Sequence, residues 1–248
     1  EHRMRFFNES VDVIPGIAAT NFSDFGTYAY PGLDLGWAPM EDWRVYANTG
    51  FTYRIPTYTD LFYSDPTTIG DADLSPEEAF SWEFGTRYQL GSLSFSGAWF
   101  QRDSKNLIDY VKPSPDDLWQ AANVRGLVTQ GWETEIDWSF DVLGRGQKLH
   151  LSYTHITDDL EVPTEELSRY VINSFKDRAV GTWTTNWTNK WQHTVVWKYG
   201  ERASGDAFRV VDFAINYRRP SFEFKASIEN LLGEEYSETN LIPMPKGA

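Results

Sequence analysis

The 248-residue chain has no cysteine, which removes disulfide frameworks and thiolate metal centres from consideration. It is short of positive charge: 22 Lys and Arg face 36 Asp and Glu, a formal charge of −14. A phosphate-backbone binder needs a cationic face, so nucleic acid is excluded as a partner. Histidine is scarce, limited to His2, His150, His155 and His193. No His-x-Glu, His-Glu-x-x-His or Gly-x-Ser-x-Gly pattern occurs, so no enzyme, no resident metal and no cofactor is expected. No apolar run approaches the ~20 residues of a transmembrane helix. The opening Glu1-His2-Arg3 lacks the apolar core of a secretory signal, so a mature or truncated chain is expected.

What is abundant is aromatic. The chain carries 16 Phe, 13 Tyr and 11 Trp, more rings than a water-soluble domain of this size buries with ease. They recur with period two. Phe222, Phe224, Ala226 and Ile228 alternate with Glu223, Lys225, Ser227 and Glu229. Trp132, Thr134, Ile136 and Trp138 alternate with Glu133, Glu135 and Asp137, and Phe80, Trp82, Phe84 and Tyr88 with Ser81, Glu83 and Arg87. Such alternation marks strands with one apolar and one polar face. The pattern predicts eleven strands, near 10–21, 32–39, 43–53, 79–90, 92–103, 124–140, 148–157, 177–187, 191–200, 207–218 and 221–231. Pro15 weakens the first of these. The best helical stretch is Ser75–Phe80, inside a loop.

Connection lengths alternate. Met40–Asp42, Gly91, Asp141–Gln147, Thr188–Lys190 and Arg219–Pro220 are short. Arg54–Glu78, Ser104–Asn123 and Asp158–Lys176 are long, and Phe22–Pro31 and Glu201–Asp206 fall at the long end. Short turns at one end and loops at the other are the asymmetry of an outer-membrane barrel. Trp43, Tyr53, Tyr88, Trp138, Trp187, Trp191, Tyr199 and Tyr217 stand near strand ends, as interfacial girdles require. The competing architecture is a soluble β-sandwich. The fold class expected is all-β: an antiparallel transmembrane β-barrel. Eleven strands leave two open edges in lipid, which is costly, so the chain is expected to be an incomplete part of a larger barrel.

Several stretches resemble the C-terminal half of TonB-dependent outer-membrane receptors. Tyr53-Arg54-Ile55-Pro56-Thr57-Tyr58-Thr59-Asp60-Leu61-Phe62-Tyr63 is similar to that family's aromatic-Arg-x-Pro stretch. Leu74-Ser75-Pro76-Glu77, Glu83-Phe84-Gly85, Asn123, Gly131-Trp132-Glu133-Thr134-Glu135 and Glu229-Asn230-Leu231-Leu232-Gly233-Glu234-Glu235-Tyr236 follow in the family's order. Asp71 and Asp73 depart from it, standing where an Asn commonly precedes the Leu-x-Pro-Glu segment. The resemblance implies that residues 1–248 form about eleven strands of a barrel of about 22. The plug, the first barrel half and the last strand would lie outside this chain. It further implies a multi-pass protein of the bacterial outer membrane that imports a large scarce nutrient, cobalamin (vitamin B12) foremost. The alternatives are a ferric siderophore or haem receptor, or a structural barrel docking a surface lipoprotein. The implied partners are the TonB complex through the N-terminal plug, the rest of the barrel, a surface-exposed lipoprotein, and lipopolysaccharide with outer-membrane lipid.

The long loops carry the candidate ligand contacts: Tyr58, Tyr63, Asp65 and Trp119. Rings can cover an apolar ligand face while polar groups orient it. Trp119 is either such a contact or a clamp packing its loop on its neighbours. The loop acids are either solvated or a calcium surface. Arg54, Glu83, Glu133 and Glu135 are expected to be lumenal supports, holding a plug or simply hydrated.

Overall fold

The alternating segments form long strands in the computed structural model, which describes residues 2–160, 167–169, 174–239 and 242–244. In chain order the elements begin with β1 (Met4–Phe6), β2 (Val11–Phe22), β3 (Gly26–Met40), β4 (Trp43–Arg54), α1 (Tyr58–Phe62), β5 (Thr68–Ile69) and β6 (Glu77–Leu90). There follow β7 (Leu93–Lys112), β8 (Trp119–Val142), β9 (Arg145–Leu160), β10 (Leu167–Ser168), β11 (Phe175–Asn186) and β12 (Trp191–Arg202). The chain closes with β13 (Ala207–Arg219), β14 (Phe222–Ile228), β15 (Ser237–Thr239) and β16 (Ile242–Pro243). Among the described residues, fourteen strands share one sheet in the order β1-β2-β3-β4-β6-β7-β8-β9-β11-β12-β13-β14. β10 is added to β7 and β5 to β8. Among the described residues, β1 and β14 are the two ends of that path.

Each of the eleven expected strands corresponds to one long strand, but four expectations are corrected. β2 runs through Pro15 and stays in register with β3 from Val11↔Trp37 to Phe22↔Gly26. The expected loop Phe22–Pro31 is therefore strand apart from a three-residue turn. The loop Ser104–Asn123 likewise shrinks to Pro113–Leu118, because β7 and β8 extend beyond their apolar alternation. Ser75–Phe80 is not helical: Glu77 already begins β6. The helix is α1 instead, started by a reciprocal capping box in which the Thr57 hydroxyl accepts the Asp60 N–H and the Asp60 carboxylate accepts the Thr57 N–H. This satisfies two otherwise orphaned donors. The helix-prone segment of Asp158–Lys176 lies mostly outside the described residues.

The chain divides into two compact units, one comprising residues 1–86, 98–131 and 156–174, the other 87–97, 132–155 and 175–248. In the first, Phe51 packs on Phe80 at 4.8 Å between ring centroids, and Trp82 on Trp99 at 4.2 Å. On the opposite face of the strands the Arg44 guanidinium meets the Asp12 carboxylate at 3.0 Å. This unit also holds a small buried cluster of Leu74, Ile108, Tyr110 and Ala121.

In the second unit the registers of β9, β11, β12 and β13 build transverse rows on the apolar face. Tyr153, Ala179, Tyr199 and Arg209 form one row; Leu151, Gly181, Trp197 and Val211 the next; Leu149, Trp183, Val195 and Phe213 the third. Gln147, Thr185, His193 and Ile215 follow, and then Trp191 and Tyr217. Ringed rows thus bracket an apolar band on β12, with Trp191 and Tyr199 eight residue steps apart, about 27 Å along the strand. The polar row inside the band is internally bonded. Gln147 Oε1 accepts both the Trp183 indole N–H (2.9 Å) and the Thr185 hydroxyl (2.6 Å). His193 Nδ1 accepts the Trp187 indole N–H at 2.6 Å. The β8–β9 hairpin closes on Leu143 and Gly144, both with positive φ (52° and 73°), the conformation of a two-residue hairpin turn that matches strand twist.

Candidate functional site

The connection between β4 and β6 is built around Arg54. Its Nε and Nη2 donate to the two Glu77 oxygens at 2.6 and 2.7 Å, a bidentate fork. Its Nη1 donates to Asp60 at 3.2 Å. Glu77 also accepts the Ile108 N–H at 2.7 Å, and the Tyr110 hydroxyl reaches Asp60 at 3.4 Å. One guanidinium thus ties α1 and β6 to the end of β4, and its two acidic partners in turn bond β7. Both acidic residues are buried, a placement charges tolerate only when paired and hydrogen-bonded. Burial works to raise the Asp60 pKa, but the Thr57 backbone and hydroxyl donors and the Arg54 charge outweigh it and hold the carboxyl below its usual value.

Gly70 lies against the start of α1. A Cβ there would stand 2.7 Å from the Asp60 carbonyl oxygen and 2.9 Å from the Leu61 carbonyl carbon, so only glycine fits. Two more ties fix the framework: Asp71 N–H donates to the Asp60 carbonyl, and Asn123 bonds to both backbone groups of Ser75 and to the Asn106 carbonyl.

On this framework the predicted contacts separate. Tyr58 is 79% exposed and pairs with Phe62, itself exposed, at 5.1 Å between centroids. Tyr63 donates its hydroxyl to Asp65 at 2.8 Å. Asp65 also accepts the Thr67 and Thr68 N–H groups (2.6 and 2.7 Å) and the Thr67 hydroxyl. These donors, the Thr67 backbone first, pull the Asp65 carboxyl down to about 2. Trp119 is half-buried and packs with Leu61 on the Leu74–Ile108–Tyr110–Ala121 cluster. Its N–H donates to the Thr67 carbonyl, and Thr68↔Trp119 is a β5–β8 pair. Two cations flank its indole: Lys112 Nζ at 4.7 Å and the Arg169 guanidinium at 5.7 Å from the ring centroid.

Of the expected supports, Arg54 is the hub just described, Glu83 is half-buried on β6, and Glu133 and Glu135 are exposed on β8. Glu135 joins Asp137 and His150, whose ligand atoms lie within 4.8 Å of one another; His150 Nδ1 stands 2.9 Å from Asp137. Both carboxylate residues are exposed, the setting of a hydrated His–carboxylate pair. Asp60 and Glu77 fall in the stretches similar to the family's motifs without a role assigned to them, and Tyr110, Lys112 and Arg169 likewise had none. For Asp60 a signal existed, since Thr57-x-x-Asp60 is a capping-box spacing. For Lys112 and Arg169 none did, because only the β7–β10 pairing, Leu167↔Lys112 and Ser168↔Val111, brings them together.

Comparison with known proteins decides the family. The profile of the TonB dependent receptor-like, beta-barrel family matches residues 1–231. The chain belongs to this family. Among curated relatives, it is 22% identical to the Vitamin B12 transporter BtuB of Vibrio vulnificus over 240 residues, 93% of this chain and 37% of the relative. It is 28% identical to the Vitamin B12 transporter BtuB of Photobacterium profundum over 244 residues, 89% of this chain and 37% of the relative. Among solved structures, the siderophore receptor PirA from Acinetobacter baumannii superposes with a TM-score of 0.77 at 14% identity, covering 99% of this chain and 43% of that one. That likeness shows the fold. The chain spans little more than a third of the curated relatives it matches. The family places it in the bacterial outer membrane, in a class of receptors and transporters. In such barrels the apolar strand face meets lipid and the polar face lines the interior, so the ringed rows of the second unit are the two aromatic girdles. Phe224, opposite Tyr217, lies at a girdle and not at the midplane, where Val195 sits.

Proposed function

We propose that the chain is part of a TonB-dependent active importer whose ligand is received at the connections around α1 and Trp119. The observation that carries this is the Arg54 hub, which holds an exposed aromatic group, Tyr58, Phe62 and Tyr63, on a rigid base. Pre-set rings on a fixed support give a ligand an apolar surface at little ordering cost. Cobalamin is the leading substrate, supported by the two B12 transporters among the relatives. The siderophore-receptor likeness of the fold favours a ferric siderophore as the second reading. His150 and His155 lie inside β9 and His193 inside β12, so none of these three histidines speaks for haem from a loop. Energy would come from the TonB complex acting on a plug, with the rest of the barrel completing the wall.

The test is uptake by the full-length receptor, in cells with and without TonB, of labelled cyanocobalamin and of ferric siderophores. TonB-dependent uptake of either supports import and names the substrate. Tyr63 and Trp119 replaced together by Ala should reduce uptake while leaving barrel assembly intact, because Tyr63 lies in a connection, which tolerates change that strands do not, and Trp119 is only the first residue of β8. Normal uptake by that variant removes these residues from the ligand site and leaves them a lid or a partner surface, such as a docking face for a surface lipoprotein.

A further inference from the structure

We propose that Arg145, Lys190 and Arg219 form a basic collar on the lipid-facing side of the short turns, and that it binds the phosphate of anionic glycerophospholipids in the periplasmic leaflet. Membership of the family and the geometry of the second unit carry it, independently of where a transported ligand binds.

Three successive turns place these cations. Arg145 opens β9 just after the Leu143–Gly144 turn, Lys190 closes the turn between β11 and β12, and Arg219 ends β13. Arg145 shares a face with Gln147 two residues on, and Arg219 with Tyr217 two residues back, so both lie on the side of the girdle. The contacts agree. The Arg145 guanidinium lies over the Trp187 indole at 4.7 Å from its centroid, and the Arg219 guanidinium over the Tyr217 ring at 5.6 Å. Trp191 packs on Tyr217 at 4.4 Å between centroids. All three cations are exposed. From β9 to β13 there are three strand spacings, so the collar is about 14 Å wide.

What these cations lack is an acid. Among the described residues none of the three enters an ion pair, in a chain whose formal charge is −14. The registered rows beside the collar hold Trp191 and Tyr217, then Gln147, Thr185, His193 and Ile215, with no carboxylate among them. The acids of this end belong to the opposite face. Asp141 Oδ1 lies 3.8 Å from where a Cβ of Gly146 would stand, one residue out of phase with Gln147, and Glu223 is held by Asn216 and Arg218. Cation–π contact alone would account for Arg145 and Arg219. It does not account for Lys190, which among the described residues lies over no ring. Three cations without acids reverse the field locally and draw an anion to that level. Short turns of an outer-membrane barrel face the periplasm, so the anions within reach are the headgroups of that leaflet. Guanidinium presents a planar fork to phosphate oxygens and ammonium a point charge. The indoles and the Tyr217 ring, at headgroup level, take the glycerol and the first acyl carbons. A zwitterionic headgroup brings its own ammonium towards the same cations, so a net-negative lipid is favoured.

The experiment uses the full-length receptor in mixed micelles of phosphatidylcholine and phosphatidylglycerol, with the retained lipids counted by native mass spectrometry. The wild type should retain phosphatidylglycerol over phosphatidylcholine by about tenfold at low salt, and the preference should shrink as salt rises. Arg145→Gln/Lys190→Gln/Arg219→Gln should bring it below about twofold. The charge-keeping variant Arg145→Lys/Lys190→Arg/Arg219→Lys should stay within about threefold of the wild type. Lys190→Gln alone, which removes no ion pair or ring contact, should lower the preference about twofold, so the test stands even where the triple variant fails to assemble. Lys148→Gln/Lys225→Gln removes two cations of the same end from the polar face and should leave the preference unchanged. A wild type without preference overturns the proposal, as does a preference that survives in the neutral variants. Equal loss in the Lys148→Gln/Lys225→Gln variant shows diffuse charge at this end instead of a collar and overturns it as well. Displacement of the lipid by millimolar inorganic phosphate makes the site one for free phosphate and overturns the lipid assignment. Each of these outcomes leaves the import reading standing, because uptake tests that separately.

Discussion

Replacing Arg54 with Ala tests the architecture of the candidate site most directly. The side chain makes three charge-assisted hydrogen bonds, two to Glu77 and one to Asp60. Its own side chain is 44% exposed, while each carboxylate is only 11% exposed. Truncating one partner of a fully buried pair costs about 3–5 kcal/mol, mostly because the other charge is stranded. Here solvent reaches the guanidinium, and both acids keep a backbone donor, Ile108 N–H for Glu77 and Thr57 N–H for Asp60. A local cost of about 3 kcal/mol follows, or about two orders of magnitude in the opening equilibrium of α1. Lysine at position 54 should recover only part of it, because an ammonium cannot form the fork. The assay is hydrogen exchange on the full-length receptor, read at the Leu61 and Tyr63 amides, which donate to the Thr57 and Thr59 carbonyls. Those two amides should exchange about a hundredfold faster in the variant, with the amides of β12 and β13 unchanged. Unchanged protection at Leu61 and Tyr63 would refute the hub; loss of protection throughout the strands would show that Arg54 supports assembly and not the connection.

Three further outcomes are expected. Val195→Arg, at the middle of the apolar band, should destabilise the barrel by about 2–4 kcal/mol in refolding titrations in phospholipid, whereas Phe224→Arg at the girdle should cost at most about 1 kcal/mol. Equal costs would mean the girdles are misplaced. Leu143→Gly should stabilise the β8–β9 hairpin by about 1 kcal/mol in the same titrations, since Leu143 holds a left-handed φ of 52° and is itself 94% exposed; a loss of stability would expose a contact of the leucine with lipid or a partner. The Asp65 carboxyl, near 2 when folded against an ordinary 3.8, contributes order that is complete above about pH 4 and lost as pH falls through about 2. Thr67 and Thr68 amide protection should therefore persist at about pH 4 and vanish near about pH 2; vanishing already at the higher pH would contradict the bonding described.

The strands were legible because their chemistry is local. Period-two alternation in Trp132–Trp138 or Phe222–Ile228 reports one face at a time, and a strand needs little more to be recognised. Strand ends were less legible: β7 continues through Asn106 to Lys112 and β3 starts at Gly26, where alternation has faded but ladder bonds persist. The Ser75–Phe80 expectation failed because Glu77 is held extended by Arg54 and by the Ile108 N–H, contacts across 23 and 31 residues that no local window contains. The same distance dependence divides the site. Tyr58, Tyr63 and Asp65 lie in one ring- and acid-rich stretch and were visible as a group. Lys112 and Arg169 are 57 residues apart in number and converge only through a two-residue strand.

The bonded row of Gln147, Thr185 and His193 bears on how the barrel is made. These groups sit at the level of hydrocarbon, where an unsatisfied polar atom costs several kcal/mol. Gln147 finds Trp183 and Thr185 only when β9 and β11 are in their native alignment, and His193 meets Trp187 across the β11–β12 turn. A slip of one residue would turn these polar side chains to the opposite face and send the apolar set inward. A slip of two would keep the faces but leave an amide oxygen and an indole N–H facing acyl chains with nothing to bond. Alternation by itself does not discriminate against that second error, since every even slip preserves it. The polar row does, acting as a registration mark that distinguishes correct insertion from its near misses while the wall is being assembled.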